Sequence, residues 1–259
     1  MNLMKSEFRK LVYSRLTYGL LLAAIGLASL SAAVTPFVLT RAGRLIGVSG
    51  LSNSAIVDTV YGKAASAYLF AIILGVLIMA GEYRQGTAVA TFLAEPKRSR
   101  VFMAKVATAA IFGALFQLSA VSLGLVAAKI ALGFYPEAVQ PGDTAIVDTL
   151  LAAVISGAVL ASVGVAVGAL LRNQTLATLA VVLWLNLIEP IMIVVFPDGG
   201  KWWATGAIAG MLNLHVKASR LGLSTTSYLD PWQAALLLLA YGGAFSVIAL
   251  LTTMRRDVD

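Results

Sequence analysis

The sequence contains no cysteine, one histidine and few charged residues. The absence of cysteine excludes disulfides, thiolate chemistry and metal sites with cysteine ligands. A single histidine, His215, leaves little room for a histidine-based metal site or a catalytic triad. Charged residues make up 12% of the 259 positions, about half of the roughly 25% found in soluble domains, whereas 59% are hydrophobic. Much of the surface is therefore expected to face lipid.

Long stretches without charged residues predict the membrane-spanning helices. A helix needs about 20 apolar residues to cross about 30 Å of hydrocarbon. Six stretches are long enough, and only the fifth is interrupted, by Glu189. The stretches are 16–40, 64–81, 106–128, 149–171, 173–197 and 231–254, and the spans predicted from them are about 16–40, 64–82, 104–130, 148–171, 174–197 and 231–254. They predict an all-α, multi-pass membrane protein with a single domain over residues 1–259. The first span is longer than the apolar region of a signal peptide and is predicted to be retained.

The distribution of basic residues predicts the orientation. With the N-terminus in the cytoplasm, the 19 lysines and arginines divide into 12 on the cytoplasmic side and 7 on the outer side. This excess favours both termini in the cytoplasm. Basic faces opposite anionic lipid headgroups also account for the net charge of +7, so no nucleic-acid partner is needed to explain it.

The N-terminal segment, residues 1–15, has the pattern of an interfacial helix. Met4, Phe8, Leu11 and Val12 recur at helical spacing among basic residues. Two interpretations remain open at this point. The helix either only anchors the chain at the headgroups or also contacts a cytoplasmic partner.

The loop between the second and third spans predicts a short separate helix. Gly86 can end the descending helix, Thr87 can cap a new one, and Pro96 ends that one. The apolar side of the new helix consists of Val89, Phe92 and Leu93. This side is covered either by a partner protein or by the membrane surface, and composition favours neither.

Glu189 is the only charged residue well inside a predicted span. Pro190 cannot donate a hydrogen bond and leaves the carbonyl of Asn186 without its usual partner, so a kink or break is predicted there. Glu189 either satisfies groups freed by this break or, with Asn186 and Pro190, lines a pathway or gate. A charged, lipid-facing carboxylate would be unfavourable at this depth, so Glu189 is predicted to face protein or a wet cavity.

The short apolar segment before the sixth span and the fourth span each contain two glycines four residues apart. Residues 204–214 follow Trp202-Trp203 and are too short to cross, which predicts a re-entrant or interfacial outer helix. Gly206 and Gly210 could let this helix pack closely against a span. Gly164-x-x-x-Gly168 in the fourth span marks either a dimer contact or packing within the chain, and the second is favoured.

An ordered set of motifs resembles the permease subunits of ATP-binding-cassette type-2 exporters, in particular those of actinobacteria. The motifs are Gly81-Glu82-Tyr83-Arg84-Gln85-Gly86-Thr87, then Leu93, Pro96, Arg98, Arg100 and Lys105, then residues 168–174, Trp184 and Glu189, and finally Arg255-Arg256-Asp257-Val258. The resemblance covers the whole length, including the six-span layout.

The resemblance implies an N-terminal connecting helix, a cytoplasmic coupling helix between the second and third spans, and an outer helical re-entry. It also implies that two such chains, identical or related, pair in the bacterial plasma membrane, each on a separate ATPase subunit that binds ATP and magnesium. The chain has no G-x-x-x-x-G-K-[ST] motif, which agrees with a separate ATPase. The residues implied to couple to that ATPase are Glu82, Tyr83, Arg84, Gly86, Thr87, Val89, Phe92, Leu93 and Pro96.

Two other classes are compatible with the composition. An intramembrane enzyme acting on lipid is disfavoured because no histidine, cysteine or acidic cluster lies within a span. A membrane scaffold or immunity-type protein differs from a transport subunit only in lacking an ATPase partner. The expected function is therefore an exporter subunit that needs no cofactor of its own, and the substrate, whether drug, antibiotic, lipid or ion, is not specified by the residues.

Overall fold

The computed structural model describes residues 3–46, 54–136, 138, 143–211 and 228–251, and none of these residues lies in a β-strand. The α-helices of these ranges are α1 (Leu3–Val12), α2 (Arg15–Ile46), α3 (Ser54–Lys63), α4 (Tyr68–Arg84), α5 (Ala88–Ala94), α6 (Arg98–Leu132), α7 (Asp143–Leu171), α8 (Gln174–Leu183), α9 (Glu189–Val195), α10 (Ala204–Met211) and α11 (Pro231–Leu251). Short 3-10 helices cover Ala64–Ala67 and Pro197–Trp202, and a π-helix covers Trp184–Ile188. His215 and the motif at 255–258 lie outside the described residues.

Six helical segments are long and apolar enough to cross a membrane, which confirms the predicted number within the described ranges. They cover Arg15–Arg41, Val60–Arg84, Arg98–Leu132, Ile146–Leu171, Gln174–Ile193 and Pro231–Leu251. The third begins six residues before the predicted boundary because the basic residues at its start belong to the helix. Charge gaps therefore locate the apolar centre of a span but not the ends of its helix.

Glycines bring the second, third and fourth spans into close contact. A Cβ at Gly164 would overlap the backbone carbonyl of Ile72, and one at Gly168 would lie 3.0 Å from the carbonyl of Val76. Gly113 and Gly157 allow a similar approach of α6 to α7. The fourth span therefore uses its G-x-x-x-G for packing within the chain, as predicted. This packing places α7 at the centre of the bundle.

The loop after α4 forms the short helix that the sequence predicts, with one difference. Gly86 adopts a positive φ of 68°, and Glu95 before Pro96 is extended, so the helix is interrupted on both sides. Thr87 occupies the N-cap position of α5, but its side chain does not bond the helix. The hydroxyl of Thr91 instead donates to the carbonyl of Thr87. The prediction of a threonine side-chain cap was therefore wrong.

The fifth span is interrupted as predicted next to Pro190. Its α-helical hydrogen bonding ends at Leu183 and resumes at Glu189, and the π-helix Trp184–Ile188 lies between. The backbone N–H of Glu189 donates to the carbonyl of Trp184, five residues earlier. This π-helix replaces the regular ladder that proline would disrupt, and π-segments are frequent at functional sites.

Candidate functional site

One buried cluster of charges joins three helices at one end of the bundle. Lys105 on α6 is fully buried. Its Nζ lies 2.7 Å from Oε2 of Glu7 on α1, 2.8 Å from Oε1 of Glu82 on α4, and 3.3 Å from the carbonyl oxygen of Ile78. The ammonium group therefore has two carboxylates and a carbonyl around it, which compensates its removal from water.

Lys10 completes this cluster from the solvent side. Its Nζ lies 2.7 Å from Oε1 of Glu7 and 2.7 Å from Oε1 of Glu82. Half of the Lys10 side chain is exposed, whereas both glutamates are buried. We call these four residues, Glu7, Lys10, Glu82 and Lys105, the ionic cluster. It carries two positive and two negative charges and holds α1 against the second and third spans.

The cluster shifts the pKa of its two members on α1. Burial opposes the charged form of Glu7, but the ammonium groups of Lys105 and Lys10 outweigh this effect and hold its pKa below the usual value. Burial also opposes the charged form of Lys10, and its hydrogen bonds to Glu7 and Glu82 outweigh burial and raise its pKa. Both groups are therefore charged at neutral pH.

The short helix α5 lies directly on this cluster. The hydroxyl of Thr91 is 3.4 Å from Oε1 of Glu82, and Ala88 at the start of the helix is buried. Phe92 is half-buried, and the guanidinium of Arg98 lies 5.4 Å from the centre of its ring. These contacts fix one side of α5 and leave its other side to solvent or to a partner.

The exposed side of α5 is apolar. Leu93 is 77% exposed and Val89 is 48% exposed. Of the three residues predicted to form the apolar side of this helix, these two are exposed, whereas Phe92 packs against other residues of the same chain. The apolar face predicted from sequence is thus divided, with one aromatic residue turned inwards and two aliphatic residues turned outwards.

The other predicted coupling residues likewise include some that contact the chain itself and some that are exposed. Glu82 is buried in the ionic cluster, and the ring of Tyr83 lies beneath the guanidinium of Arg172 at 5.8 Å. Arg84 is exposed and forms no ion pair with the described part of the chain. Gly86, Thr87 and Pro96 are exposed along the loop. Of the two charged residues in the predicted coupling set, Glu82 is paired within the chain, and Arg84 is available to a partner.

Sequence reasoning assigned no site role to Glu7, Lys10 or Lys105, although Lys105 is one of the motif residues named above. A signal was present, because Glu7 is the sole acid among the basic residues of the first 15 positions. Lys105 also follows the apolar run 101–104, so it lies two turns inside α6 rather than at its end. A basic residue inside an apolar helix and an isolated acid in a basic helix can form an ion pair. Because 98 positions separate them, no local pattern in the sequence indicates this pairing.

A second polar site surrounds Glu189 at the opposite end of the bundle. Its side chain is buried, as predicted. Oε1 accepts a hydrogen bond of 2.7 Å from the indole N–H of Trp184, and Oε2 accepts bonds of 2.7 Å from the backbone N–H and 2.6 Å from the hydroxyl of Thr205. Thr205 lies in the first turn of α10, so the carboxylate satisfies a donor at the start of that helix.

The helix α10 is packed closely at this site. A Cβ at Gly206 would overlap the carbonyl of Gly200, and one at Gly210 would lie 2.7 Å from the carbonyl of Leu229 and 3.4 Å from Cβ of Ala234 on α11. Gly210 therefore allows the close approach to a span that its spacing predicts. Glu189 and Gly210 together hold α10 between the fifth and sixth spans.

Two cavities flank the interruption of the fifth span, and they separate the three predicted pathway residues. Asn186 and Pro190 line one cavity of about 410 Å³, together with Tyr68, Thr205 and Tyr228. Glu189 lines a different cleft of about 400 Å³ between spans two, four, five and six. The structure thus places Asn186 and Pro190 at one cavity and Glu189 at the other.

No protein-family model matches this chain, and no curated protein matches it either. The geometry of the two polar sites therefore carries the functional proposal.

Proposed function

We propose that this protein is the transmembrane subunit of an ATP-driven exporter in the bacterial plasma membrane, with both termini in the cytoplasm. In this proposal a separate ATPase subunit binds ATP and magnesium, and the present chain forms the substrate path. Two copies, or one copy and a related permease, enclose that path. The motifs given above support this assignment, and the six apolar helices are compatible with it.

The observation that carries the proposal is the seating of α5 on the ionic cluster. Leu93 and Val89 expose apolar surface on a helix of seven residues that is fixed from behind by Thr91 and Phe92. A short helix in water is unstable without tertiary contacts. A helix held rigidly with its apolar side outwards is suited to insertion into a groove of another protein.

The ionic cluster offers a route for force from α5 to the spans. Glu82 ends the second span, and its carboxylate contacts Lys105 of the third span and Lys10 of the N-terminal helix. A displacement of α5 by an ATPase would therefore move α1, α4 and α6 together. Close glycine contacts of α4 with α7 would carry that movement into the centre of the bundle.

The pathway in this proposal runs along the fifth span. Asn186 and Pro190 are exposed and line a polar-edged cavity with Tyr68 of the second span. Six helices leave little room for a sealed path, whereas twelve can surround one. The fifth span, most of which is not buried within the single chain, is therefore proposed to face the partner permease.

The test is affinity purification of the tagged full chain in mild detergent, followed by mass spectrometry and measurement of ATP hydrolysis. We expect the wild-type chain to retain an ATPase with a P-loop motif. Leu93→Asp should abolish this retention, because it places a charge in the apolar contact. The control is Leu22→Ala, at a leucine of the first span that is 70% exposed. Alanine is chosen there because Leu22→Asp would test membrane insertion instead of partner binding.

A chain that folds, inserts and purifies without an ATPase would contradict the proposal and favour a membrane scaffold. Retention of the ATPase by Leu93→Asp would contradict only the assignment of α5 as the contact with the ATPase, and the exporter assignment would stand. Phe92→Ala separates these roles further. It should loosen α5 on its own chain and weaken retention less than Leu93→Asp does.

A further inference from the structure

The cleft beside Glu189 is lined mostly by apolar residues and has a volume of about 400 Å³. Aliphatic residues of the second and fourth spans, such as Ile72, Leu160 and Val167, contribute the aliphatic part of its wall. The aromatic part of the wall consists of Trp184, Trp203, Tyr241 and Phe245. The centres of the two indole rings are 6.0 Å apart.

The carboxylate in this cleft has three hydrogen bonds and, within the described ranges, no ion pair. The indole N–H of Trp184 and the backbone N–H of Thr205 can only donate, so both oxygens of Glu189 act as acceptors. No lysine or arginine of the described ranges forms an ion pair with Glu189. In the ionic cluster at the other end of the bundle, by contrast, each buried carboxylate contacts two ammonium groups.

We propose that this cleft binds lipophilic cations, with the positive charge near Glu189 and the apolar body along the aliphatic wall. A carboxylate in surroundings of low dielectric constant attracts a positive charge more strongly than a carboxylate in water does. Aromatic faces add cation–π attraction. Anions are excluded by the carboxylate, and small hydrophilic cations gain nothing from the apolar wall. As a substrate site this inference rests on the proposed export function, whereas as a binding site it does not.

The probe is tetraphenylphosphonium, a permanent cation whose charge does not depend on pH. Its matched opposite is tetraphenylborate, which has the same four phenyl groups and a negative charge. Binding of tritiated tetraphenylphosphonium is measured by equilibrium dialysis on the full chain in phosphatidylcholine nanodiscs. The zwitterionic lipid keeps surface charge from concentrating the probe.

We expect saturable binding that tetraphenylborate does not displace. Glu189→Gln should lower the affinity at least tenfold, because it removes the charge and keeps the shape. Asp148→Asn is the matched control, since Asp148 is an exposed acid at the start of the fourth span and lies outside the cleft, and this variant should bind as the wild type does.

A second variant keeps the inference testable if Glu189→Gln loosens α10. Val167→Leu with Ala180→Leu narrows the cleft without touching the carboxylate or adding an aromatic ring. It should also lower the affinity at least tenfold. Unchanged affinity in this variant, unchanged affinity in a folded Glu189→Gln, or displacement by tetraphenylborate would overturn the inference.

The assay contains no ATPase and measures no transport, so its result is independent of the proposed function. If the chain binds the cation but retains no ATPase, the binding site stands and the exporter assignment is wrong. If the chain retains its ATPase but does not bind the cation, only the binding site is wrong.

Discussion

The Nζ atom of Lys105 lies 2.7 Å from Oε2 of Glu7, although 98 positions separate the two residues. Both side chains are buried, so the N-terminal helix is attached to the third span by a charge pair that water does not screen. This attachment makes α1 part of the folded bundle rather than a helix that only rests on lipid. Part of its predicted apolar face contacts the bundle, since the ring of Phe8 packs at a tilt against Phe112, whereas Met4 remains 45% exposed.

Removing the buried ammonium should be strongly destabilising. Lys105→Met leaves Glu7 and Glu82 buried with only Lys10 as a counter-ion, and breaking a buried pair costs about 3–5 kcal/mol. The measurement is thermal unfolding in detergent, where a marked fall in Tm is expected. Lys129→Met, at the exposed opposite end of the same helix, is the control and should leave Tm almost unchanged.

Exchange of the charges tests whether the pair itself is responsible. Glu7→Lys combined with Lys105→Glu keeps one charge of each sign at the contact and should recover part of the lost stability. Equal stability of Lys105→Met and the wild type would contradict the assigned role of the cluster.

The pKa of Glu7 predicts how stability depends on pH. Because this pKa is lowered in the folded state, that state binds fewer protons than the unfolded chain over the interval between the two pKa values. The stabilisation is complete above the ordinary glutamate pKa of about 4.3 and is lost as the pH falls through the folded value. The raised pKa of Lys10 sets the limit at high pH. Its stabilisation is complete below the ordinary lysine pKa of about 10.4 and is lost as the pH rises through the folded value.

The corresponding measurement is the difference in Tm between the wild type and Glu7→Gln from pH 3 to pH 8. We expect a constant difference from about pH 5 to pH 8 and a smaller one below about pH 4. A difference that grows on acidification would have the wrong sign and would contradict the charge assignment.

Glycine contacts between the second and fourth spans should not tolerate a methyl group. Gly164→Ala would place Cβ against the carbonyl of Ile72 and 2.9 Å from the backbone nitrogen of Val76, so two helices would have to separate. Overpacking of this kind costs about 1–3 kcal/mol. The control is Gly243→Ala, where no atom lies within 4 Å of the new Cβ. Equal Tm values for the two variants would contradict the packing.

The cysteine-free sequence makes the topology directly testable. Arg98→Cys should resist a membrane-impermeant maleimide added to intact cells, because the loop between the second and third spans is predicted to be cytoplasmic. Lys129→Cys, near the other end of the same helix, should be labelled. Labelling of position 98 from outside would overturn the proposed orientation.

The number and apolar centres of the spans followed from sequence because hydrocarbon thickness sets a length that charge gaps measure directly. The interruptions at Gly86, Pro96 and Pro190 followed because glycine and proline act on the local backbone. Glu189 is likewise expected to face protein or a wet cavity, since lipid would leave its charge unsolvated.

The partners of the buried charges could not be predicted in the same way. The use of charge gaps assumes that charges lie at the ends of helices, whereas α1 and α4 provide Lys105 with a buried polar site two turns inside α6. Thr205 as the partner of Glu189 depends on how α10 packs between two spans. These contacts join residues that are distant in sequence, so they appear only when the whole bundle is assembled.

The most direct test of the proposed function is a crosslink from α5. Leu93→Cys introduces the sole thiol of the chain and can be joined, in native membranes, to a photoactivatable thiol reagent. We expect a covalent adduct with an ATPase that contains a P-loop, and no such adduct from Leu22→Cys in the first span. Absence of an ATPase from the Leu93 adducts, while Leu93→Cys is fully labelled by the reagent, would contradict the account.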